Sequence, residues 1–199
     1  KFDKKSTVIA YGSTMKVDKK SKVLEKFSLR KNDYYLIVGR LIPDNNSRLI
    51  IQGFIKSKSK KNIVIVGDVP YKDDYSKQMK LICDNDERLI MTGYVNCQDS
   101  LNQLYTNSYA YIHGHQYGGT NPSMVNALKL NLNILALNTK FNKEMLYKKK
   151  AVLFDKNIES IAYAINLFEK KYLSLVEKNR NYQIPEVYNW DSITEKYEN

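Results

Sequence analysis

The feature that most constrains this chain is a series of unbroken apolar runs, each stopped by a small turn residue. Tyr34-Tyr35-Leu36-Ile37-Val38 ends at Gly39, Asn62-Ile63-Val64-Ile65-Val66 at Gly67, and Arg88-Leu89-Ile90-Met91 at Thr92-Gly93. Runs this short, β-branched and aromatic, with no polar alternation, are the pattern of strands buried on both faces. Tyr109 to His113, Asn133 to Leu137 and Ala151 to Phe154 repeat the pattern further on. The stretches between them carry apolar residues at helical spacing. Ser47–Lys56, Tyr75–Cys83, Ser100–Tyr105 and Pro122–Leu130 read as helices, and Ile158–Phe168 shows a stripe of Ile158, Ile161, Ala162, Ile165 and Phe168.

Strands that are apolar on both sides and alternate with helices predict a parallel sheet covered on each face. Right-handed crossovers then make a doubly wound α/β, Rossmann-like domain the economical topology. Ligands of such sheets bind outside the carboxyl ends of the strands, so the residues just after each strand carry the functional information. Outside this core pattern lie Lys1 to Asn32 and a tail from Lys171 that holds Pro185, Trp190 and an amphipathic stretch, Ser192 to Tyr197.

Composition narrows the function classes. No apolar stretch approaches the roughly 20 residues that span a bilayer, and Lys1-Phe2-Asp3-Lys4-Lys5 lacks the apolar run of a leader. The chain opens without Met, which predicts a piece of something longer. Cys83 and Cys97 have neither metal nor redox spacing, so reduced structural thiols in the cytoplasm are expected. The net charge of +11 allows three accounts. It reflects a generally Lys/Asn/Tyr/Ile-rich composition, or an attraction to anionic lipid worth about 1 kcal/mol per basic residue near the surface, or, last, nucleic-acid binding. The lysines are dispersed and aromatic residues do not interleave with them, which argues against a base-stacking platform.

The strand ends supply the candidate site. After the first strand comes Gly39-Arg40, a tight backbone turn beside a fork-shaped cation suited to phosphate oxygens. Read plainly, the same pair is a capped loop with a surface Arg. Tyr94-Val95, after the third strand, lies on the same rim. The most informative stretch is His113-Gly114-His115-Gln116-Tyr117-Gly118-Gly119-Thr120-Asn121-Pro122-Ser123. Asn121 suits an N-cap and Pro122 the first helical position. A helix start behind a glycine pair offers amides and a dipole to an anion, so a diphosphate is expected against the backbone of Gly118, Gly119, Thr120 and Asn121. His113 and His115 alternate and are candidates for a hydrogen-bonding or basic role beside that ligand; the plain alternative is that the loop satisfies them. Nothing at ligand spacing completes a metal site around them, and neither metal nor cofactor is expected.

These motifs resemble the C-terminal domain of family-4 retaining-type glycosyltransferases with the GT-B fold. Val38-Gly39-Arg40-Leu41 matches the family's strand end, whose Arg meets the donor diphosphate. The family's following Lys is replaced here by Asp44-Asn45-Asn46, leaving Arg48 as a possible substitute. The family's two glutamates fall at Gly118 and Asn126, so both carboxylates are absent. A subgroup, the bacterial capsule and O-antigen rhamnosyltransferases, is similar over the whole string His113 to Ser123. Ile9-Ala10-Tyr11-Gly12 resembles its interdomain crossover, and Trp190 to Tyr197 its closing helix.

The resemblance implies three parts: a crossover and lead-in over 1–32, a nucleotide-sugar-binding domain over 33–170, and a helical tail over 171–199 returning towards an N-terminal acceptor domain. It implies transfer of a sugar, rhamnose from dTDP-rhamnose, to a growing surface polysaccharide or lipid-linked acceptor, in the cytoplasm or at the inner face of its membrane. Gly39, Arg40 and Gly118 to Asn121 would hold the diphosphate, with His115 or His113 near the sugar or phosphate. Asn126 would lie near the ribose, accepting a hydrogen bond without the charge of Glu, and Tyr94-Val95 near the base. Two rivals are a degenerate module that binds without catalysis and another doubly wound nucleotide-sugar enzyme such as an epimerase. The absence of a Gly-x-Gly-x-x-Gly turn after the first strand counts against the latter.

Overall fold

The computed structural model describes residues 9–68 and 74–198, so the reading of Lys1–Lys5 lies outside the described residues. Six strands form one sheet: β1 (Tyr34–Val38), β2 (Asn62–Val66), β3 (Leu89–Gly93), β4 (Ala110–His113), β5 (Ile134–Leu137) and β6 (Val152–Phe154). All are parallel, in spatial order β3-β2-β1-β4-β5-β6. The helices are α1 (Lys22–Lys26), α2 (Ser47–Lys56), α3 (Asp74–Asp84), α4 (Gln98–Thr106), α5 (Pro122–Lys129), α6 (Lys140–Met145), α7 (Ile158–Lys178) and α8 (Trp190–Glu198). This is the expected doubly wound Rossmann-like sheet, with the strand order reversing between β1 and β4.

Because side chains alternate across a strand, each strand feeds two separate cores. Tyr35, Ile37, Ile63, Ile65 and Ile112 point to one layer, where α2, α3 and α7 contribute Ile50, Phe54, Met79, Ile165 and Phe168. Tyr34, Leu36, Val64, Val66 and Tyr111 point to the other, covered by Val23 and Leu24 of α1, Leu104 and Tyr105 of α4, and Met124 to Leu128 of α5. Burying tyrosines in mid-strand requires partners for their hydroxyls. Tyr34 donates to the Leu104 carbonyl at 2.6 Å and Tyr35 to Glu169 at 3.0 Å. Helices α2 and α7 pack so closely that a Cβ on Gly53 would stand 2.4 Å from Ile161.

Three helices differ from expectation. Helix α7 does not stop near Phe168 but runs on to Lys178, so the expected boundary at 170 falls inside a continuous helix. Its apolar stripe continues through the partly buried Tyr172 and Leu175, and Asn179 ends it by pairing its side-chain amide with both the amide and the carbonyl of Lys150. Helices α1 and α6 have too few residues for a periodic signal; α6 is started by Thr139, whose side chain accepts from the Asn142 amide. The cysteines are free: Cys83 is buried, whereas Cys97 is exposed just before α4, its thiol shifted down by a hydrogen bond with Ser100. The crossover-like segment packs against the tail helix α8, since a Cβ on Gly12 would stand 2.8 Å from the Trp190 ring. Among the described residues no helix is long and apolar enough to cross a membrane.

Lys149 is a buried cation held by the Asn131 side chain, with its ammonium 4.4 Å from the centre of the Tyr182 ring. No carboxylate pairs with it among the described residues. Burial pushes its pKa down to about 7 from an ordinary 10.5. Between those values the unfolded chain binds the extra proton, so this residue's contribution to stability rises with pH across that window and is lost as pH falls to 7. Urea denaturation from pH 7.5 to 9.5 should show the parent gaining on Lys149→Met by up to about 1.4 kcal/mol per pH unit. Parallel curves would mean that Lys149 is not titrating in the fold.

Candidate functional site

At the reversal of strand order, β1 and β4 send their following loops to opposite sides and leave a crevice between them. The floor of that crevice is backbone against backbone. Gly67, with φ of +149°, lies so close to β1 that a Cβ there would stand 1.9 Å from the Gly39 carbonyl oxygen. Only glycine satisfies both the conformation and the space. Gly39 in turn lies under the His115 ring, whose Cε1 is 3.0 Å from where a Cβ would be.

The loop Pro43-Asp44-Asn45-Asn46, where a family lysine would fall, acts as a bracket between β1 and the segment after β4. Asn45 donates from its side chain to the Arg40 carbonyl at 2.6 Å, and Asn46 to the Gly114 carbonyl at 2.8 Å. The Gln116 amide donates to the Asp44 carbonyl at 3.0 Å, and Asn142 of α6 donates to the His115 carbonyl at 3.1 Å. Arg48 is directed elsewhere: it bonds Gln78 and lies over the Tyr75 ring, so it does not replace the missing cation.

The result is a cleft of about 690 Å³. Of the residues expected from sequence, Gly39, Arg40, Tyr94, Val95, His115 and Asn121 line it. Asp44, Asn45, Asp68, Leu101, Tyr117 and Ser123 line it too and were not singled out. Loop residues of this kind carry no periodic signal; their place follows from the strand ends they succeed. Tyr94 is 73% exposed and Tyr117 65%, large flat side chains open to a ligand.

The remaining expected residues stand differently. His113 is 1% exposed, stacked behind His115 with ring centres 4.5 Å apart and planes 13° apart. The Tyr111 hydroxyl, pushed well up by burial and so kept protonated, is hydrogen-bonded to His113 Nδ1 at 2.9 Å. His113 therefore backs His115 and does not reach the cleft. Burial, reinforced by Arg40, pushes His115 down to about 4, so its ring is neutral at ordinary pH. Asn126 of α5 has its side-chain oxygen occupied by the hydroxyl of Ser13 in the lead-in segment at 2.7 Å, and it does not line the cleft.

The start of α5 is capped as expected, with a consequence for anion binding. Asn121 accepts from the amides of Ser123 and Met124, and Pro122 has no amide to give. The helix dipole stays directed at the cleft, but its first-turn donors are spoken for. Gly118, Gly119 and Thr120 fall between the cleft-lining Tyr117 and Asn121 without lining it themselves. No residue among those described accepts from their amides. The left-handed glycine of the pair is Gly118, with φ of +123°, and the space around Gly119 is open. Among the described residues no three His, Cys, Asp or Glu side chains converge as a metal site.

Comparison with known proteins gives the same frame. The sequence profile described as "Glycosyl transferases group 1" matches residues 19–190. HepE of Anabaena, solved in complex with UDP, superposes with a TM-score of 0.76 at 15% identity, over 89% of this chain and 50% of that one. Sucrose-phosphate synthase from Thermosynechococcus elongatus gives 0.72 at 12%, over 96% and 48%. The pneumococcal O-GlcNAc transferase GtfA, in complex with UDP and GlcNAc, gives 0.71 at 13%, over 95% and 37%. At these identities the likeness is one of fold, and this chain spans half or less of each of those chains. No curated protein matches the sequence.

Two measurements follow from this geometry. Gly67→Ala should cost roughly 2–4 kcal/mol, since both the backbone conformation and the Gly39 carbonyl oppose a side chain. Gly119→Val, in open space, should unfold within about 0.5 kcal/mol of the parent. Equal melting of the two variants would refute the close approach that forms the cleft floor. For His115, the ring signals in NMR should show no titration between pH 6 and 8 and a midpoint near 4. A fold that disfavours the charged ring loses stability as pH falls through the window from 6.5 to about 4. A midpoint at the ordinary value would place His115 in solvent.

Proposed function

We propose, from the premise that this chain belongs to the glycosyl transferases group 1 family, that it is the donor-binding half of a GT-B glycosyltransferase. Its cleft holds a nucleoside-diphosphate sugar. The observation that carries this reading is the placement of Arg40 and the start of α5 in one cleft at the point where the strand order reverses. Transfer leaves a nucleoside diphosphate, and the protein's task is to stabilise the charge that develops there. Arg40 supplies a forked cation and α5 its dipole. The loop amides of Gly118 to Thr120 supply donors once a ligand is present. His115, neutral beside Arg40, accepts or donates a hydrogen bond at the same phosphate without adding a cation in the unliganded state. Tyr94, Val95 and Leu101 form the apolar end suited to a base. These groups do the work of a metal ion, and the reaction is read as metal-independent.

The donor sugar is read as rhamnose, carried on dTDP, because the string His113 to Ser123 is similar to that of the rhamnosyltransferase subgroup. UDP in the HepE and GtfA complexes supports the nucleoside-diphosphate class and leaves the base open. The acceptor, a surface polysaccharide or lipid-linked saccharide, would be held mainly by an N-terminal domain facing the cleft. This chain alone would bind donor without turnover. The charge of +11 supports work against the anionic inner face of the cytoplasmic membrane. A second reading, binding without catalysis, is favoured by one observation: Asn126, at a family carboxylate position, is engaged by Ser13. Sugar transfer by the full-length protein with acceptor separates the two.

Calorimetry with dTDP and UDP tests the donor site. Arg40→Ala should weaken binding by about 1.5–3 kcal/mol, the range for a hydrogen bond to a charged group, and leave melting unchanged because the residue is exposed. A chelator should not alter the affinity. Unchanged binding in the variant removes Arg40 from the site, and loss of binding with chelator overturns the metal-free reading.

A further inference from the structure

The cleft crosses the carboxyl ends of β3, β2, β1 and β4 in that order, and its chemistry changes along the way. Tyr94 and Val95, after β3, are joined by Leu101 of α4 in an apolar end. Arg40 stands at the middle, after β1. Beyond it, where the β1 and β4 loops meet, lies a carboxylate, Asp44. Its backbone is fixed there, because its carbonyl accepts the Gln116 amide at 3.0 Å and the Asn46 side chain at 3.2 Å. Its side chain is exposed and has no ion-pair or hydrogen-bond partner among the described residues.

A free carboxylate beside a diphosphate site repels the very group that site attracts. It becomes favourable only when the ligand brings donors to it, because an ionised carboxylate can only accept hydrogen bonds. A nucleotide laid with its base at Tyr94 and its diphosphate at Arg40 brings the hydroxyls of the transferred sugar to that end. We propose that Asp44 is the specificity-determining carboxylate that makes the cleft favour a nucleotide sugar over the bare nucleoside diphosphate. It accepts hydrogen bonds from two neighbouring hydroxyls, so the substrate class is a sugar presenting a vicinal diol. This rests on the reading of the cleft as a donor site and names which carboxylate reads the sugar.

The test is calorimetric titration of the chain, Asp44→Ala and Asp44→Asn with two ligand pairs, dTDP with dTDP-rhamnose and UDP with UDP-glucose. The parent should favour the sugar nucleotide in at least one pair. Asp44→Ala should lower that preference roughly tenfold or more, the loss of hydrogen bonds to a charged acceptor. Its affinity for the bare diphosphate should stay level or rise, since a repelling charge has gone. Asp44→Asn, which keeps an acceptor, should fall between, and equal melting temperatures confirm that all three are folded. An unchanged preference in Asp44→Ala, or an equal loss for both members of a pair, overturns the role of Asp44 and leaves the donor site standing. A parent that binds neither pair overturns the donor site, and this inference with it.

Discussion

A parallel strand cannot return to its neighbour through a short turn, so each strand of this sheet needs a crossover and each face needs a cover. That constraint is the source of most of what is seen here. Among the described residues it sets α2, α3 and α7 against one face and α1, α4, α5 and α6 against the other, keeps two cores apart, and brings the carboxyl ends of the strands to one edge. Where the winding reverses, between β1 and β4, no helix can fill the gap at that edge, and a cleft results. Its depth is then set by a contact with no side chain in it, Gly67 against the carbonyl of Gly39.

Among the described residues, side-chain amides hold the loops around the cleft. Asn45 and Asn46 join the β1 loop to itself and to the β4 loop; Asn142 ties the latter to α6; Asn179 closes the far end of α7 on Lys150. An amide offers donors and an acceptor at once, so it can meet backbone groups without the cost of desolvating a charge. The ion pairs are mostly exposed ones outside the cleft lining, such as Lys56–Glu159 and Lys80–Asp84, where each contributes little. The cleft thereby keeps Arg40 as its cation. The His115 ring beside it remains uncharged, because burial and that same arginine both disfavour its protonation.

This electrostatic arrangement suits a ligand that brings its own negative charge. The exposed Arg40 and the neutral His115 stand together in the cleft, with the Asp44 carboxylate also in its lining. A diphosphate entering it would reverse the bias on His115, since an anion favours the protonated ring that Arg40 opposes. His113 and Tyr111, buried behind it, fix the orientation of the stacked ring and do not line the cleft.

Much of the fold was legible because its signals are local and periodic. The helix Ser47–Lys56 and the helix start at Asn121-Pro122 follow from spacing and capping alone, and the strands from unbroken apolar runs that only a two-sided burial explains. Arg40, His115 and Asn121 were legible as cleft-lining residues because the loops that follow parallel strands gather at one edge of the sheet. Asp44 and Tyr117, Asn126 on Ser13, His113 behind His115, and the extension of α7 to Lys178 were not. Each depends on a partner far away in the chain, and a residue's own neighbours in sequence say nothing of which distant backbone or ring will occupy it. Sequence determined most of the elements and which edge of the sheet carries the cleft. Tertiary structure alone decided which side chains remain free there, because burial and hydrogen-bond occupancy are set by what packs against a residue.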